Sequence, residues 1–225
     1  MRQKFFLTQI SGNLWREDAH GDFISGSFRG GLKLNGGYDK IKAANRNLEF
    51  EVESAVSIYF YGCTTIDGYL ADRDHHLDWL YQTGTVEETD YEQFYEKMDI
   101  TIMGRRTFDE IKTAENAKEL YPTTQNYVFT HAGSLSQVGF TAIETDIVNF
   151  VKGIDKSKNI WIIGGNTILE PLLNNNMVDH MIIQIAPVLL GAGIPLFTQK
   201  EALRRFQLKE VKQYGQFAEM TYEKR

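Results

Sequence analysis

The sequence predicts an α/β fold in which a mostly parallel mixed sheet carries helices on both faces and ends in an antiparallel hairpin. From residue 56 onward, apolar runs of strand length alternate with amphipathic stretches of helix length. Such alternation implies crossover connections between parallel strands. Residues 204–225 form two alternating runs about Gly215, which is the pattern of a terminal hairpin and adds an antiparallel edge to the sheet.

The first strand is predicted at 56–63, where VSIYFYGC is rich in β-branched and aromatic residues. The polar, glycine-containing stretch TTIDGYLADRD follows as a loop. A helix is predicted from about 90 to 97, with Thr89 as its cap, because apolar side chains recur there at steps of three and four residues. These side chains are Tyr91, Phe94, Tyr95 and Met98.

The remaining elements follow the same alternation of apolar runs and amphipathic stretches. Strands are predicted at 99–104, 126–131, 140–144 and 159–165, and within 178–190. Helices are predicted for RRTFDEIK, DIVNFVKGI and NTILEPLLNN. The stretch GAGIPLF is predicted to be a loop because it contains Gly191, Gly193 and Pro195.

Composition and charge limit the classes of function. A chain of 225 residues with 42% hydrophobic and 12% aromatic residues can bury a core. A net charge of -6 argues against a nucleic-acid surface, since phosphate binding needs clustered Lys and Arg. Cys63 has no partner cysteine, and the five histidines show no metal-ligand spacing, so no metal site is predicted.

Segment lengths and glycine content suggest the location of the protein and its division into domains. No apolar run reaches the length of a signal-peptide core or a membrane span, so a cytoplasmic protein without membrane contact is expected. Residues 1–54 are rich in glycine and show little periodicity. We therefore predict an N-terminal extension at 1–54 and one domain at 55–225.

The strongest local signal for function is a strand that ends in Gly164 and Gly165 and runs directly into a helix. The first amides of a helix have no internal partner and its dipole attracts anions, while glycine lets a pyrophosphate approach the backbone. A tight turn that requires glycine explains this junction equally well by itself.

A second strand-to-helix junction carries Gly104, Arg105, Arg106 and Thr107, which add cations and a hydroxyl. Two solvated arginines beside a turn are the simpler alternative. A third strand ends in Thr130-His131, and ligands of parallel sheets gather beyond the carboxyl ends of the strands. The three positions together favour a phosphorylated dinucleotide, although neither a G-x-G-x-x-G fingerprint nor a P-loop is present.

The order IMGRRTF, NYVFT and IWIIGGNTILEPLL, followed by a strand and the hairpin, resembles the dihydrofolate reductase family over residues 56–225. TTIDGYLA and PVLLGAGIPLF resemble its branch that contains the riboflavin-pathway reductase domain. The resemblance implies that three groups of residues bind the cofactor. They are Gly104, Arg105, Arg106 and Thr107 at the phosphates, Thr130 and His131 near the adenosine, and Gly164, Gly165, Asn166 and Thr167 at the pyrophosphate.

The resemblance also implies NADPH as the cofactor, with Arg105 or Arg106 engaging its extra phosphate, and hydride transfer to a small pterin-like or pyrimidine-like substrate. It implies a homodimer as well. As the acid, Asp67 matches the carboxylate of the riboflavin-pathway branch, and Asp78 loosely matches that of the folate reductases. Turn formation by Asp67 and helix capping by Asp78 are the simpler roles.

Two other functions remain open at this point. The domain could hold NADPH as a sensor or scaffold without turnover, which predicts the same phosphate-binding residues without a useful acid. Alternatively, residues 1–54 could bind a partner while the reductase-like body supports them. Both possibilities are compatible with the glycine-bearing junctions.

Overall fold

A computed structural model describes residues 56–112, 120–131, 135, 138–198, 200 and 202–225. The predicted extension at 1–54, and with it the predicted boundary at residue 55, lies outside the described residues. Of the helices in the described ranges, none combines the length and the apolar character that crossing a bilayer requires.

The predicted strands and helices occur in the predicted order, and two short strands, one short helix and one 3₁₀ turn that were not predicted lie between them. The strands are β1 (Ser57–Thr65), β2 (Tyr69–Ala71), β3 (Ile100–Gly104), β4 (Gln125–Phe129), β5 (Phe140–Ile143), β6 (Asn159–Gly164), β7 (His180–Ala186), β8 (Ile194–Pro195), β9 (Phe206–Tyr214) and β10 (Phe217–Lys224). The helices are α1 (Asp78–Tyr81), α2 (Tyr91–Tyr95), α3 (Arg105–Ile111), α4 (Ile147–Lys152) and α5 (Asn166–Asn174), and a 3₁₀ turn lies at Val86–Glu88.

In the described part of the chain, eight strands form one sheet in the order β5-β4-β3-β6-β1-β7-β10-β9. Every pairing from β5 to β7 is parallel, and β10 joins β7 and β9 in antiparallel fashion. The closing hairpin turns at Gly215, whose φ of +54° suits glycine, with Tyr214 opposite Phe217. The predicted mixed sheet and terminal hairpin are confirmed.

Side chains alternate across the sheet and build a core on each face. One cluster contains Ile58 and Phe60 of β1 together with Leu169 and Leu172 of α5 and residues of α4. The other contains Tyr61 of β1 with residues of α2 and α3. Helices therefore cover both faces, as the sequence predicted.

The predicted loops contain a second, small sheet that the sequence did not predict. Strands β2 and β8 pair in antiparallel fashion, with Tyr69 opposite Pro195. Both strands are too short to show a period of two residues. Gly193 explains the close approach, because a Cβ added there would lie 2.2 Å from the carbonyl oxygen of Ala71.

The helix predicted at 90–97 is shorter than expected and is capped differently. Helix α2 spans Tyr91–Tyr95 with Asp90 at the N-cap position, so the predicted cap at Thr89 is wrong by one residue. Asp90 makes no side-chain capping bond, whereas the Thr89 hydroxyl donates to the carbonyl of Val86 and accepts from the amide of Tyr91 at 3.3 Å, so it still bonds the first turn of the helix. At the other end, the amide of Lys97 bonds the carbonyl three residues back, so the last turn tightens and the helix ends early.

His180 makes stability depend on pH. Its ring stacks on Tyr59 with centroids 4.4 Å apart, and desolvation lowers its pKa below the usual value near 6.5. The unfolded chain then binds more protons just below about pH 6.5, so this contribution to stability falls as the pH drops through that window. We expect urea unfolding at about pH 7.5 and about pH 5.5 to show that the free energy of unfolding falls less between these two pH values in His180→Asn than in the wild type. An equal loss in both proteins would contradict this role.

Candidate functional site

A cleft of about 1200 Å³ opens at the carboxyl edge of the parallel strands. This edge collects the ends of β3, β4, β5 and β6, because parallel strands all end on the same side. All ten residues predicted to bind the cofactor line this cleft. They are Gly104, Arg105, Arg106, Thr107, Thr130, His131, Gly164, Gly165, Asn166 and Thr167.

The glycine pair joins β6 to α5. Gly164 has a φ of +146°, which side chains with a Cβ rarely adopt, and a Cβ on Gly165 would meet no atom within 4 Å. The helix therefore begins at an open part of the cleft, where its first amides have no intrahelical partner. The Asn166 side chain points elsewhere, since its amide nitrogen donates to the carbonyl of Pro195 in β8 at 3.1 Å.

The second junction lies directly beside the first. A Cβ on Gly104 would lie 3.9 Å from the carbonyl oxygen of Gly164, and a Cβ on Gly164 would lie 3.9 Å from the Thr107 hydroxyl. The parallel pairing of β3 with β6 produces this proximity. Two glycine-bearing helix starts, separated by about 60 residues in sequence, thus form one continuous wall.

The two arginines of this junction differ in their partners. Nε of Arg105 donates to both carboxylate oxygens of Asp109 at 3.0 Å. Nη1 of Arg106 lies 3.1 Å from Nε2 of His75, and among the described residues no carboxylate lies within ion-pair distance of Arg106. Because a guanidinium only donates, the His75 nitrogen must be an unprotonated acceptor in this contact. Arg106 is therefore the arginine whose charge is left for a ligand.

The third strand end contributes Thr130 and His131. Thr130 is buried, and its amide donates to the carbonyl of Ile143 in the neighbouring strand β5 at 3.1 Å. His131 is exposed at the cleft margin. Both residues therefore line the same cleft as the two glycine junctions.

Asp67 and Asp78, the two predicted acids, are not among the residues that line the cleft. The Asp67 carboxylate accepts hydrogen bonds from the Thr65 hydroxyl at 2.6 Å and from the Gly191 amide at 2.7 Å. The Thr65 hydroxyl, followed by backbone amides, lowers the pKa of this exposed carboxyl. Asp78 is the first residue of α1. Their catalytic role stays a prediction, and the geometry favours a turn-stabilising role for Asp67.

The hydrogen bonds of Asp67 lead to a test of its role. We expect Asp67→Asn to lower the melting temperature. Hydrogen-bond donors reach both carboxylate oxygens of Asp67, whereas an asparagine side chain has one oxygen that accepts and an NH₂ group that cannot. NADPH affinity should stay unchanged, since Asp67 does not line the cleft. Thermal unfolding and a cofactor titration check this expectation. A normal melting temperature combined with lost turnover would instead support the predicted acid.

One part of the cleft, which we call its aromatic end, is lined by aromatic and apolar side chains. Tyr61, Tyr91 and Trp161 line it, and Tyr91 meets Trp161 edge to face with ring centroids 5.6 Å apart. Such a wall suits a planar ring system. Cys63 also lines this end, where burial raises the pKa of its thiol to about 12 and keeps it protonated.

Three buried polar side chains at this part of the cleft are joined by hydrogen bonds, and we call Tyr61, Gln184 and Glu219 the inner polar cluster. The Tyr61 hydroxyl donates to Oε2 of Glu219 at 3.0 Å. Burial, followed by the Glu219 charge, raises the pKa of Tyr61, so the hydroxyl keeps its proton. Tyr61 and Gln184 line the cleft.

Sequence reasoning missed the inner polar cluster and His75, although one signal was available. Gln184 interrupts the apolar run VDHMIIQIAPVLL, and an amide in a buried strand needs partners. Glu219 on β10 supplies one, because the strand register places it directly opposite Gln184. The register cannot be read from the sequence of either strand alone.

The loop before α1 groups Asp72, Asp74 and His76, whose ligand-type atoms lie within 4.8 Å of one another. Oδ1 of Asp72 accepts from the amides of both Asp74 and His76 at 2.8 Å. These hydrogen bonds are those of an Asx turn. Local backbone geometry therefore accounts for the grouping.

Comparisons with known proteins agree with this architecture. A model of the RibD C-terminal domain family matches residues 58–218. The uncharacterized protein YwjB of Bacillus subtilis (strain 168) is 32% identical over 165 residues, covering 72% of this chain and 94% of that protein. The match therefore covers nearly the whole length of the relative.

Two solved structures have a similar fold. RibD of Acinetobacter baumannii (form 1) superposes with a TM-score of 0.61 at 16% identity, covering 76% of this chain and 59% of that chain. Dihydrofolate reductase from Enterococcus faecalis, complexed with NADP(H), superposes with a TM-score of 0.53 at 13% identity, covering 75% and 96% respectively. These similarities confirm the predicted dihydrofolate reductase-like fold.

Proposed function

The chain belongs to the RibD C-terminal domain family, and on this premise we propose that it is an NADPH-dependent reductase of a small heterocyclic substrate. The substrate class is pterin-like or pyrimidine-like, and the reaction is hydride transfer. One observation carries the proposal. The residues that were predicted to bind the cofactor come from three separate strand ends, and all of them line a single cleft.

The residues of the cleft fit the charge and shape of a phosphorylated dinucleotide. The start of α5 offers free amides beside the open space at Gly165, which suits a pyrophosphate. Arg106, whose charge no described carboxylate neutralises, suits the additional phosphate that distinguishes NADPH from NADH. Thr130 and His131 would then lie near the adenosine.

The aromatic end of the cleft fits the reacting rings. When bound, NADPH supplies the hydride, and the protein holds the rings in position. Tyr61, Tyr91 and Trp161 provide flat surfaces for that purpose. Neither Asp67 nor Asp78 lines this end, so we propose that water supplies the proton.

The direct test is turnover. Purified protein mixed with NADPH and a panel of pterins and aminopyrimidines should lose the absorbance of the reduced nicotinamide with at least one compound. Arg106→Ala should slow the reaction at low cofactor concentration and recover when NADPH is raised, because the change weakens binding rather than chemistry. Tight NADPH binding without oxidation by any compound would contradict the reductase proposal.

A second candidate function is a sensor or scaffold that binds NADPH without turnover. The position of both predicted acids away from the cleft lining favours it. The two functions differ in a single-turnover experiment, in which only a reductase oxidises bound NADPH when the heterocycle is added. The predicted homodimer stays a prediction that light scattering can test.

A further inference from the structure

The side chains of the inner polar cluster are buried and are connected by hydrogen bonds across three strands. Tyr61, Gln184 and Glu219 are 8%, 1% and 7% exposed. Nε2 of Gln184 donates to the Tyr61 hydroxyl oxygen at 2.8 Å and to Oε2 of Glu219 at 2.9 Å. Among the described residues, Glu219 makes no ion pair with a cation.

The carboxylate fixes the direction of every hydrogen bond in the cluster. The Tyr61 hydroxyl donates its one hydrogen to Oε2 of Glu219, so towards Gln184 it can only accept, and the amide nitrogen of Gln184 must face it. Nε2 of Gln184 donates towards two oxygen atoms that lie 3.0 Å apart, the Tyr61 hydroxyl and Oε2 of Glu219. The amide oxygen therefore cannot exchange places with the nitrogen without losing two bonds.

This leaves Oε1 of Gln184 as the atom of the amide that is available to a ligand. No described residue donates a hydrogen bond to it, although the side chain is almost completely buried and lines the aromatic end of the cleft. The buried side-chain atoms that lack a partner in the described part of the chain are Nε1 of Trp79 and the hydroxyl of Tyr121, so Oε1 of Gln184 retains access to the cleft and can accept a hydrogen bond from a ligand.

Resting on the proposed function, we propose that Gln184 determines substrate specificity by accepting a hydrogen bond from an N–H donor on the edge of the heterocycle. Glu219 is the positioning residue, which acts through the orientation of the Gln184 amide and the Tyr61 hydroxyl. The preferred ligand is a planar ring with an amino or ring N–H edge, held between the aromatic walls. A ring that presents an acceptor at the same edge is disfavoured, because two acceptors would face each other.

Two matched ligands test the proposal in the wild-type chain. 2-Aminoquinazoline and 2-methoxyquinazoline are similar planar rings that differ in whether the substituent donates. Calorimetric titration of each, with and without NADP⁺, should show about tenfold to a hundredfold tighter binding of the amino compound. Equal affinities, or tighter binding of the methoxy compound, would overturn the proposal.

Variants test whether Glu219 orients the Gln184 amide or only contributes to the stability of the fold. In Glu219→Gln the new amide can present either oxygen or nitrogen, so Gln184 is free to flip and the affinity ratio should fall towards one. Glu223→Gln is the matched control on the same strand, where an exposed carboxylate pairs with Lys209, and it should keep the wild-type ratio. If Glu219→Gln does not fold, Gln184→Met removes the acceptor and should abolish the preference. If a folded Glu219→Gln or Gln184→Met protein still preferred the amino compound as strongly as the wild type does, the proposal would be overturned.

The outcomes distinguish this inference from the proposed function. Protein that binds NADP⁺ but shows no preference between the quinazolines refutes the role of Gln184 alone. Protein that binds no NADP⁺ refutes the proposed function, while the ligand ratio measured without cofactor still decides the role of Gln184. Glu219 does not line the cleft, so NADP⁺ affinity should be the same in Glu219→Gln and in the wild type.

Discussion

Replacing Arg106 with alanine is expected to weaken NADPH binding by about tenfold to a hundredfold while leaving NADH binding nearly unchanged. A hydrogen bond to a charged group contributes about 1.5–3 kcal/mol, which corresponds to that range. Arg106 is the appropriate target because Asp109 already holds Arg105 at 3.0 Å. Isothermal titration of both cofactors with both proteins measures the effect.

Arg73→Ala provides the control for this experiment. Arg73 is an exposed arginine two residues before His75, and it does not line the cleft. The two variants carry the same change in net charge, so a general electrostatic effect would appear in both. A similar loss in both variants, or a similar loss for NADH and NADPH, would contradict a specific phosphate contact by Arg106.

Replacing Leu169 with alanine is expected to lower the free energy of unfolding by about 3 kcal/mol. Leu169 is completely buried in the core between α5 and the sheet, and truncating such a leucine removes apolar burial and leaves a cavity. For a domain of this size, that loss corresponds to a fall of about 6–12 °C in melting temperature. Urea unfolding monitored by circular dichroism gives the free energy.

Leu208→Ala is the matched control for the core substitution. Leu208 lies on β9 with 52% of its surface exposed, so the same truncation should change stability by less than about 0.5 kcal/mol. A similar loss of stability in both variants would contradict the packing of α5 against the sheet. Because α5 begins at the glycine pair, such a result would also undermine the position of the junction.

The regions of the fold that could be predicted from the sequence are those with sustained periodicity. Strands β1, β3 and β6 are apolar runs because both of their faces are buried, and such runs are visible without a structure. Strands β2 and β8 span three and two residues, so they have no pattern to detect. They form because Gly193 allows the loop at 191–197 to approach Ala71. This contact joins segments that are far apart in the sequence, so local patterns do not reveal it.

The candidate site also has a part that the sequence predicts and a part that it does not. The residues predicted to bind the cofactor follow strand ends, where glycine and basic residues form local motifs, and the structure brings all ten to one cleft. The inner polar cluster depends on β1, β7 and β10 lying side by side, with Gln184 opposite Glu219. Strand order and register are tertiary properties, so local motifs could not reveal this cluster, whereas Asp67 was predicted from a resemblance in its local motif.

The most direct test of the account is a calorimetric titration of the wild-type chain with NADPH and with NADH. The account predicts saturable binding of one NADPH per chain and weaker binding of NADH, because free helix amides and an unneutralised arginine meet phosphates in one cleft. Absence of any heat or thermal stabilisation with NADPH would contradict it.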